Sequence, residues 1–238
     1  MIKGRWPGAG LIASVGSFVV LVGGCLPAST FTTARPLARG QTQHVASVDA
    51  WLGQFDHDES AVGDVEAEPF VTGGASPGYG VRHGLTDALE LGGSFSLGAL
   101  EANGKVAFLE LPHVALALAP RVTVAWSVAA GSTSAYQARL PLLVTWEATS
   151  WLDLTPRVGA GIINGLVSDE ALFARRSLSI AEPIGEVGLA ILFRTSSSFG
   201  IALEGQGLAS PPDRMRTVVS GGAGLALVWG LPRQGTRR

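Results

Sequence analysis

The sequence predicts an all-β fold, with antiparallel strands wound up-and-down into a transmembrane barrel of about ten strands, or eight if a weak strand drops out. Three observations carry this. First, Val114–Val128 alternates over its whole length: Val114, Leu116, Leu118, Pro120, Val122, Val124, Trp126 and Val128 share one face. Ala115, Ala117, Ala119, Arg121, Thr123, Ala125 and Ser127 share the other. Successive strand side chains point to opposite faces, so this is a strand with one bulky apolar side and one slim polar side. Second, charged residues make up only 15% of the 238 residues and mean hydropathy is +0.33, too few charges to coat a water-soluble β domain of this size. Third, short and long connections alternate along the chain, as they do when strands cross a bilayer from a turn side to a loop side.

Ten segments carry the strand pattern. They lie near Thr42–Gln54, Phe70–Arg82, Ala88–Leu97, Glu101–Glu110, Val114–Val128, Ala135–Glu147, Trp151–Gly161, Pro183–Arg194, Phe199–Gln206 and Val218–Trp229. The sixth sets Tyr136, Leu140, Leu142, Val144 and Trp146 against Gln137, Arg139, Thr145 and Glu147. The eighth sets Val187, Leu189, Ile191 and Phe193 against Glu186, Gly188, Ala190 and Arg194. The second is weak, because Thr72–Pro77 interrupts it with glycine and proline; its loss would leave eight strands. Pro120, Pro141 and Pro156 also fall inside strands, where each removes a ladder donor. The longer connections include Phe55–Pro69, Ala129–Ser134, Ile162–Glu182 and Gly207–Thr217; His83–Asp87, Leu111–His113, Ala148–Ser150 and Thr195–Ser198 are short. An even strand count returns both chain ends to the side of the short turns.

The first residues read as a targeting segment rather than as part of the fold. Lys3 and Arg5 precede an apolar run, Leu11–Val22, that is short for a membrane helix. Val22-Gly23-Gly24-Cys25 then resembles the lipobox of bacterial lipoproteins, and the chain's one cysteine stands where that motif requires it. The resemblance implies lipid attachment at Cys25, and Leu26 after it implies no retention in the inner membrane. The expected divisions are therefore a lipoprotein signal peptide over 1–24, a lipidated N-terminus and tether over 25–41, the barrel over 42–229 and a C-terminal tail over 230–238.

The hairpin Gly80-Val-Arg-His-Gly-Leu-Thr-Asp87, running on to Leu89-Glu-Leu-Gly92, is similar to turns of small Gram-negative outer-membrane β-barrel proteins. Ser220-Gly-Gly-Ala-Gly-Leu-Ala-Leu227 resembles the terminal strand signal read by the barrel-assembly machinery. Such a resemblance implies the bacterial outer membrane, with the lipid-linked N-terminus on its periplasmic side. The implied partners are outer-membrane lipid and the lipoprotein-processing and barrel-assembly machinery, with any transported small solute unknown.

Two groups of residues follow from the strand phase. Glu90, Lys105, Arg121, Arg139, Glu147, Asp153, Arg157, Glu186, Arg194 and Glu204 fall on the slim face and are expected to line the lumen. Both signs occur on neighbouring strands, so in a narrow barrel they pair and fill rather than line an open pore. Arg121, Arg139 and Arg157 come from three consecutive strands and leave open a basic patch or anion path. Trp51, Trp126, Trp146, Trp151 and Trp229 sit at or near strand ends and are expected at the membrane interface, where an indole keeps its ring apolar and its N–H wet.

Chemistry beyond that is thinly signalled. Outer-membrane lipid hydrolases need His and Ser with an orienting group. Of His44, His57, His83 and His113, only His57, in Asp56-His-Asp-Glu-Ser60, would approach the outer leaflet, and that cluster reads as a solvated acidic loop. No metal-ligand or nucleotide-binding spacing occurs, and a net charge of −2 offers no nucleic-acid footprint, so no catalytic residue, cofactor or metal is expected. The function that follows is a non-enzymatic outer-membrane barrel lipoprotein, structural or adhesive, or passing small solutes through a narrow or filled lumen. The alternative is a soluble, lipid-anchored periplasmic barrel that binds an apolar ligand inside, which would turn the same apolar face inward.

Overall fold

The computed structural model describes residues 31–55, 70–127, 133–167, 178–211 and 218–232. The strands are β1 Thr42–Phe55, β2 Phe70–Gly84, β3 Leu89–Ser96, β4 Ala99–Glu110, β5 Val114–Leu118, β6 Arg121–Ser127, β7 Thr133–Thr149, β8 Leu152–Val167, β9 Leu178–Arg194, β10 Phe199–Ala209 and β11 Val218–Trp229. With β5 and β6 counted together, each pairs antiparallel with its neighbours in the chain, and β1 also pairs with β11 from His44↔Trp229 to Phe55↔Val218. That last ladder closes the sheet on itself.

β5 and β6 are one crossing in two pieces. Both lie between β4 and β7, with β5 against Val106–Glu110 and β6 against Ala99–Asn103. The break falls at Ala119-Pro120, because Pro120 has no N–H for the ladder. Its carbonyl still accepts from Gly104 N at 2.9 Å, and Ala119 N donates to Pro141 O at 2.9 Å, so the wall stays sealed across the gap. The barrel therefore has ten crossings.

Two expected boundaries move. β2 runs unbroken from Phe70 to Gly84 and pairs with β1 throughout, so the glycine-rich stretch remains in the wall. β8 and β9 extend to Val167 and back to Leu178, well into the connection expected over Ile162–Glu182. At the far rim β3 and β4 meet in a two-residue turn, Leu97-Gly98, where Gly98 takes φ +93°. β2 consequently rises past the end of β3: its pairing with β3 begins at Gly78, and Phe70–Pro77 pair with β1 alone.

Which way the side chains look settles the architecture. Leu118 is 38% exposed and Leu189 44%, with Val124 and Leu142 half-buried on the same outward phase. Arg139 is 3% exposed, Arg157 5% and Glu204 3%. The apolar face is outside and the ionic face inside, the reverse of a soluble ligand-binding barrel. Val48, Leu100, Val122, Leu140, Val158 and Val187 continue the outer apolar surface around the circumference.

Candidate functional site in the barrel lumen

The structure places all ten slim-face charges in the lumen, each buried. Some pair between adjacent strands, as Lys105 with Glu90, Arg157 with Glu186 and Arg194 with Asp153, and others meet across the lumen between strands that are not neighbours in the wall. Arg121 of β6 reaches Glu186 of β9, passing over β7 and β8. Glu186 also takes Arg157 Nε at 2.8 Å and lies 3.6 Å from Arg139 Nη1. Arg157 bonds Glu204 and Gln206, while Arg139 lies 3.8 Å from Glu101, which accepts from Thr123 Oγ1 at 3.2 Å and Asn103 Nδ2 at 3.0 Å. Three guanidiniums and three carboxylates thus fill the middle of the barrel. A buried charge is tolerable only with such partners, since desolvating it alone costs several kcal/mol.

Nearer the short-turn end, the chain itself enters the lumen. The segment expected to be a tether is, over its described part, an internal plug: Phe31, Thr32, Thr33, Ala34, Arg35 and Leu37 are all buried. Backbone inside a barrel needs partners for its N–H and C=O groups, and wall side chains supply several of them. Phe31 N donates to Glu204 Oε2 at 2.5 Å, Ala34 N to Thr145 Oγ1 at 2.6 Å and Leu37 N to Glu90 Oε2 at 3.1 Å. Lys105 Nζ donates to Thr33 O at 2.8 Å and Arg35 O at 2.7 Å while paired with Glu90 Oε1 at 2.8 Å. Arg82 Nη1 donates to Phe31 O at 3.3 Å.

Arg35 anchors the far side of the plug. Its guanidinium bonds Glu147, Glu110 at 2.9 Å, and the carbonyls of Leu111 and Pro112, both at 2.9 Å. Phe31 packs with Val45, Leu192, Ala202, Ala226, Val228 and Leu231, and Ala34 with Ala115, Ala117, Ala119 and Leu143. The wall is shaped for this segment. A Cβ on Gly84 would stand 2.3 Å from Ala38 O, so only glycine admits the close approach. The C-terminal end closes the same mouth: Gln41 Nε2 donates to the carbonyls of Gly230 and Leu231, and Arg194, paired with Asp153 at 2.6 Å, donates to Pro232 O. Leu231 and Pro232, expected as tail, are buried there.

Two lumen cavities among the described residues measure about 10 and 30 Å³, far below the few hundred Å³ that a small organic ligand needs.

The tryptophans divide. Trp146, Trp151 and Trp229 are exposed on the outside near the short-turn end. Trp151 stands in the turn before β8 and stacks on outward-facing Phe193 with ring centroids 6.3 Å apart, and Trp229 packs against Phe199. Trp51 corrects the expectation of an interface position. It shares the phase of Gln43, Val45 and Asp49, all buried, and so faces the lumen while Val48 and Leu52 face out. Strand phase, not nearness to a strand end, decides which side a residue occupies. Trp126 belongs to β6, with its side chain outside the described part, and Cys25 and His57 lie outside the described residues. Outside the barrel, His44 Nδ1 shares a hydrogen bond with Tyr79 Oη at 2.7 Å, and His83 Nδ1 with Thr42 Oγ1 at 2.9 Å.

The plug was the part that sequence reasoning missed. The signal available was a mismatch: Arg35 and Thr32-Thr33 directly precede a barrel whose slim face carries carboxylates and lysine.

A scan against protein-family models finds no match, and a search of curated proteins finds none. Solved structures do match. The outer membrane protease OmpT from Escherichia coli superposes with a TM-score of 0.51 at 9% identity, covering 80% of this chain and 97% of that one. Neisserial surface protein A, NspA, gives 0.43 at 9% identity over 79% and 97%, and the attachment invasion locus protein Ail of Yersinia pestis 0.37 at 13% over 80% and 99%. At such identities the likeness is one of fold: the chain has the closed antiparallel architecture of outer-membrane β-barrels.

Proposed function

We propose that the chain is a non-conducting outer-membrane barrel lipoprotein, with a structural or adhesive role and no catalysis. The observation that supports this reading is the double closure of the lumen, by the six-charge layer and by the Phe31–Leu37 plug bonded to the wall beneath it. A solute path would need both removed. Strand length points the same way: β7, β8 and β9 have 17, 16 and 17 residues, against about 9–11 needed to cross a bilayer at a tilt. Because the turns at one end are short, the excess rises beyond the membrane at the other and presents a wall suited to contact. Lipid on Cys25 would hold the N-terminus at the periplasmic face, with processing and barrel assembly by the bacterial machinery for each.

Planar-bilayer recording on the purified full chain tests the closure. The expected result is no steady conductance, and long-lived open channels would overturn the reading. Cys25→Ala tests the anchor separately: the variant should lose acyl labelling yet stay in carbonate-washed membranes and keep its heat-dependent gel mobility.

A further inference from the structure

The lysines and arginines of this barrel turn inward, with one exception. Among the described residues all are buried but Arg39, which is exposed at the short-turn mouth. Its backbone is fixed over the β2–β3 turn, where Arg39 N donates to Asp87 Oδ1 at 3.2 Å and Gly40 N to Gly84 O at 2.8 Å. Its guanidinium has no partner among the described residues.

Two imidazoles stand on the outer wall beside it. His83 precedes Gly84 and is exposed, opposite Thr42; His44 lies two residues farther along β1, level with Trp229 of the aromatic girdle. Because His44 pairs with Val81, the two histidines are diagonal neighbours on one face, about 7–8 Å apart. In each ring a hydroxyl holds Nδ1, Thr42 Oγ1 at 2.9 Å and Tyr79 Oη at 2.7 Å. A ring whose Nδ1 accepts from a hydroxyl carries a hydrogen on Nε2, so both rings have a donor left for a ligand.

Farther up the same outer face the wall is apolar and hollowed. Small outward residues meet there, Gly93 opposite Ala102 and Gly104 opposite Leu91. Leu91, Phe95 and Leu100, each more than half exposed, stand around them, with Tyr79 beside Phe95 at a ring-centroid distance of 6.0 Å. The hollow begins beside His83, whose partner on β3 is Leu91. A free anion would use the donors and leave the hollow empty; a hydrocarbon would do the reverse. An amphiphile with a phosphate uses both, and a guanidinium is the strongest phosphate donor a side chain offers. Asp87, the carboxylate of this turn, suits a head group that also carries an ammonium. We propose that this sector binds one phospholipid of the phosphatidylethanolamine type from the leaflet on the short-turn side. Its phosphodiester meets Arg39, His83 and His44, and an acyl chain lies in the hollow over Gly93 and Ala102. The site rests on the reading that the barrel spans a bilayer.

Native mass spectrometry of the purified full chain in detergent tests it, with phosphatidylethanolamine or diacylglycerol of the same chains added at equal concentration. The wild type should retain one phosphatidylethanolamine about tenfold more than diacylglycerol. The double variant Arg39→Gln, His83→Gln should bring that ratio close to one. Ala102→Leu fills the hollow without touching a charge and should lower retention of both lipids. All these substitutions lie on the outside, and heat-dependent gel mobility checks that each barrel is folded. A folded wild type that holds the two lipids equally, or a ratio unchanged in the double variant, would refute the site and leave the membrane reading standing. A wild type with no heat-dependent band would overturn that reading and the site with it.

Discussion

Two clusters of buried charge share this lumen and solve the same problem differently. At the plug, Lys105 and Arg35 are surrounded by acceptors, several of them main-chain carbonyls of the plug itself and of the Leu111-Pro112 turn. In the mid-lumen layer no backbone crosses among the described residues, so Arg121, Arg139 and Arg157 must divide three carboxylates and Gln206 among them. A carboxylate satisfies a cation from one direction, whereas a strand of carbonyls can surround it. The plug thus serves as a solvent for the charges next to it, standing in for water that the barrel excludes.

The two clusters should therefore respond unequally to substitution. The largest effect is expected for Lys105→Leu, which removes the ammonium from both plug carbonyls and leaves Glu90 buried without its counter-charge. Urea unfolding in detergent, followed by tryptophan fluorescence, should show a loss of about 3–5 kcal/mol. Adding Glu90→Leu should return most of it. Arg157→Leu comes next, at about 3 kcal/mol by the same measurement, because Glu204 and Glu186 both lean on that guanidinium. Arg121→Met should cost less, about 1–2 kcal/mol, since it also relieves the repulsion with Arg139 and leaves Glu186 two other arginines. A larger loss for Arg121→Met than for Lys105→Leu would show that the plug carbonyls do not hold Lys105 as described. The smallest effect belongs to the outside: Trp151→Leu removes a ring stacked on Phe193 and should lower stability by about 0.5–1 kcal/mol.

The wall was legible in the sequence because its signal is local. Alternation along β6, β7 and β9 fixes which residues share a face, and low overall charge with an apolar majority face fixes which side is out. The ten lumen charges follow from that phase alone. Trp51 did not, because β1 mixes small and large residues on both faces, Ala46 and Ala50 among Val48 and Leu52, so its phase is weak until its register with β2 and β11 is known. The break at Pro120 was half legible: the residue that interrupts the ladder is plain, but the carbonyl bonds that reseal it come from Gly104 and Pro141 on other strands. The plug left only the faint mark of Arg35 and Thr32-Thr33 ahead of the barrel. Phe31–Gly40 has the proline, threonine and glycine of a linker and no period, and its burial depends on Glu204, Thr145, Glu90 and Lys105, which only the closed barrel brings together. That Arg121 Nε and Nη1 are buried without a hydrogen-bond partner likewise depends on who sits across the lumen.

The low hairpin at Leu97-Gly98 leaves one strand with two kinds of neighbourhood. Below Gly78, β2 has a strand on each side; from Phe70 to Pro77 it has β1 only. Amides there that point away from β1 should trade deuterium with solvent well ahead of those of β1 itself, which is flanked on both sides along its length. Protection would then change partway along a single continuous strand, and the position of that step would mark the height of the barrel's shortest side.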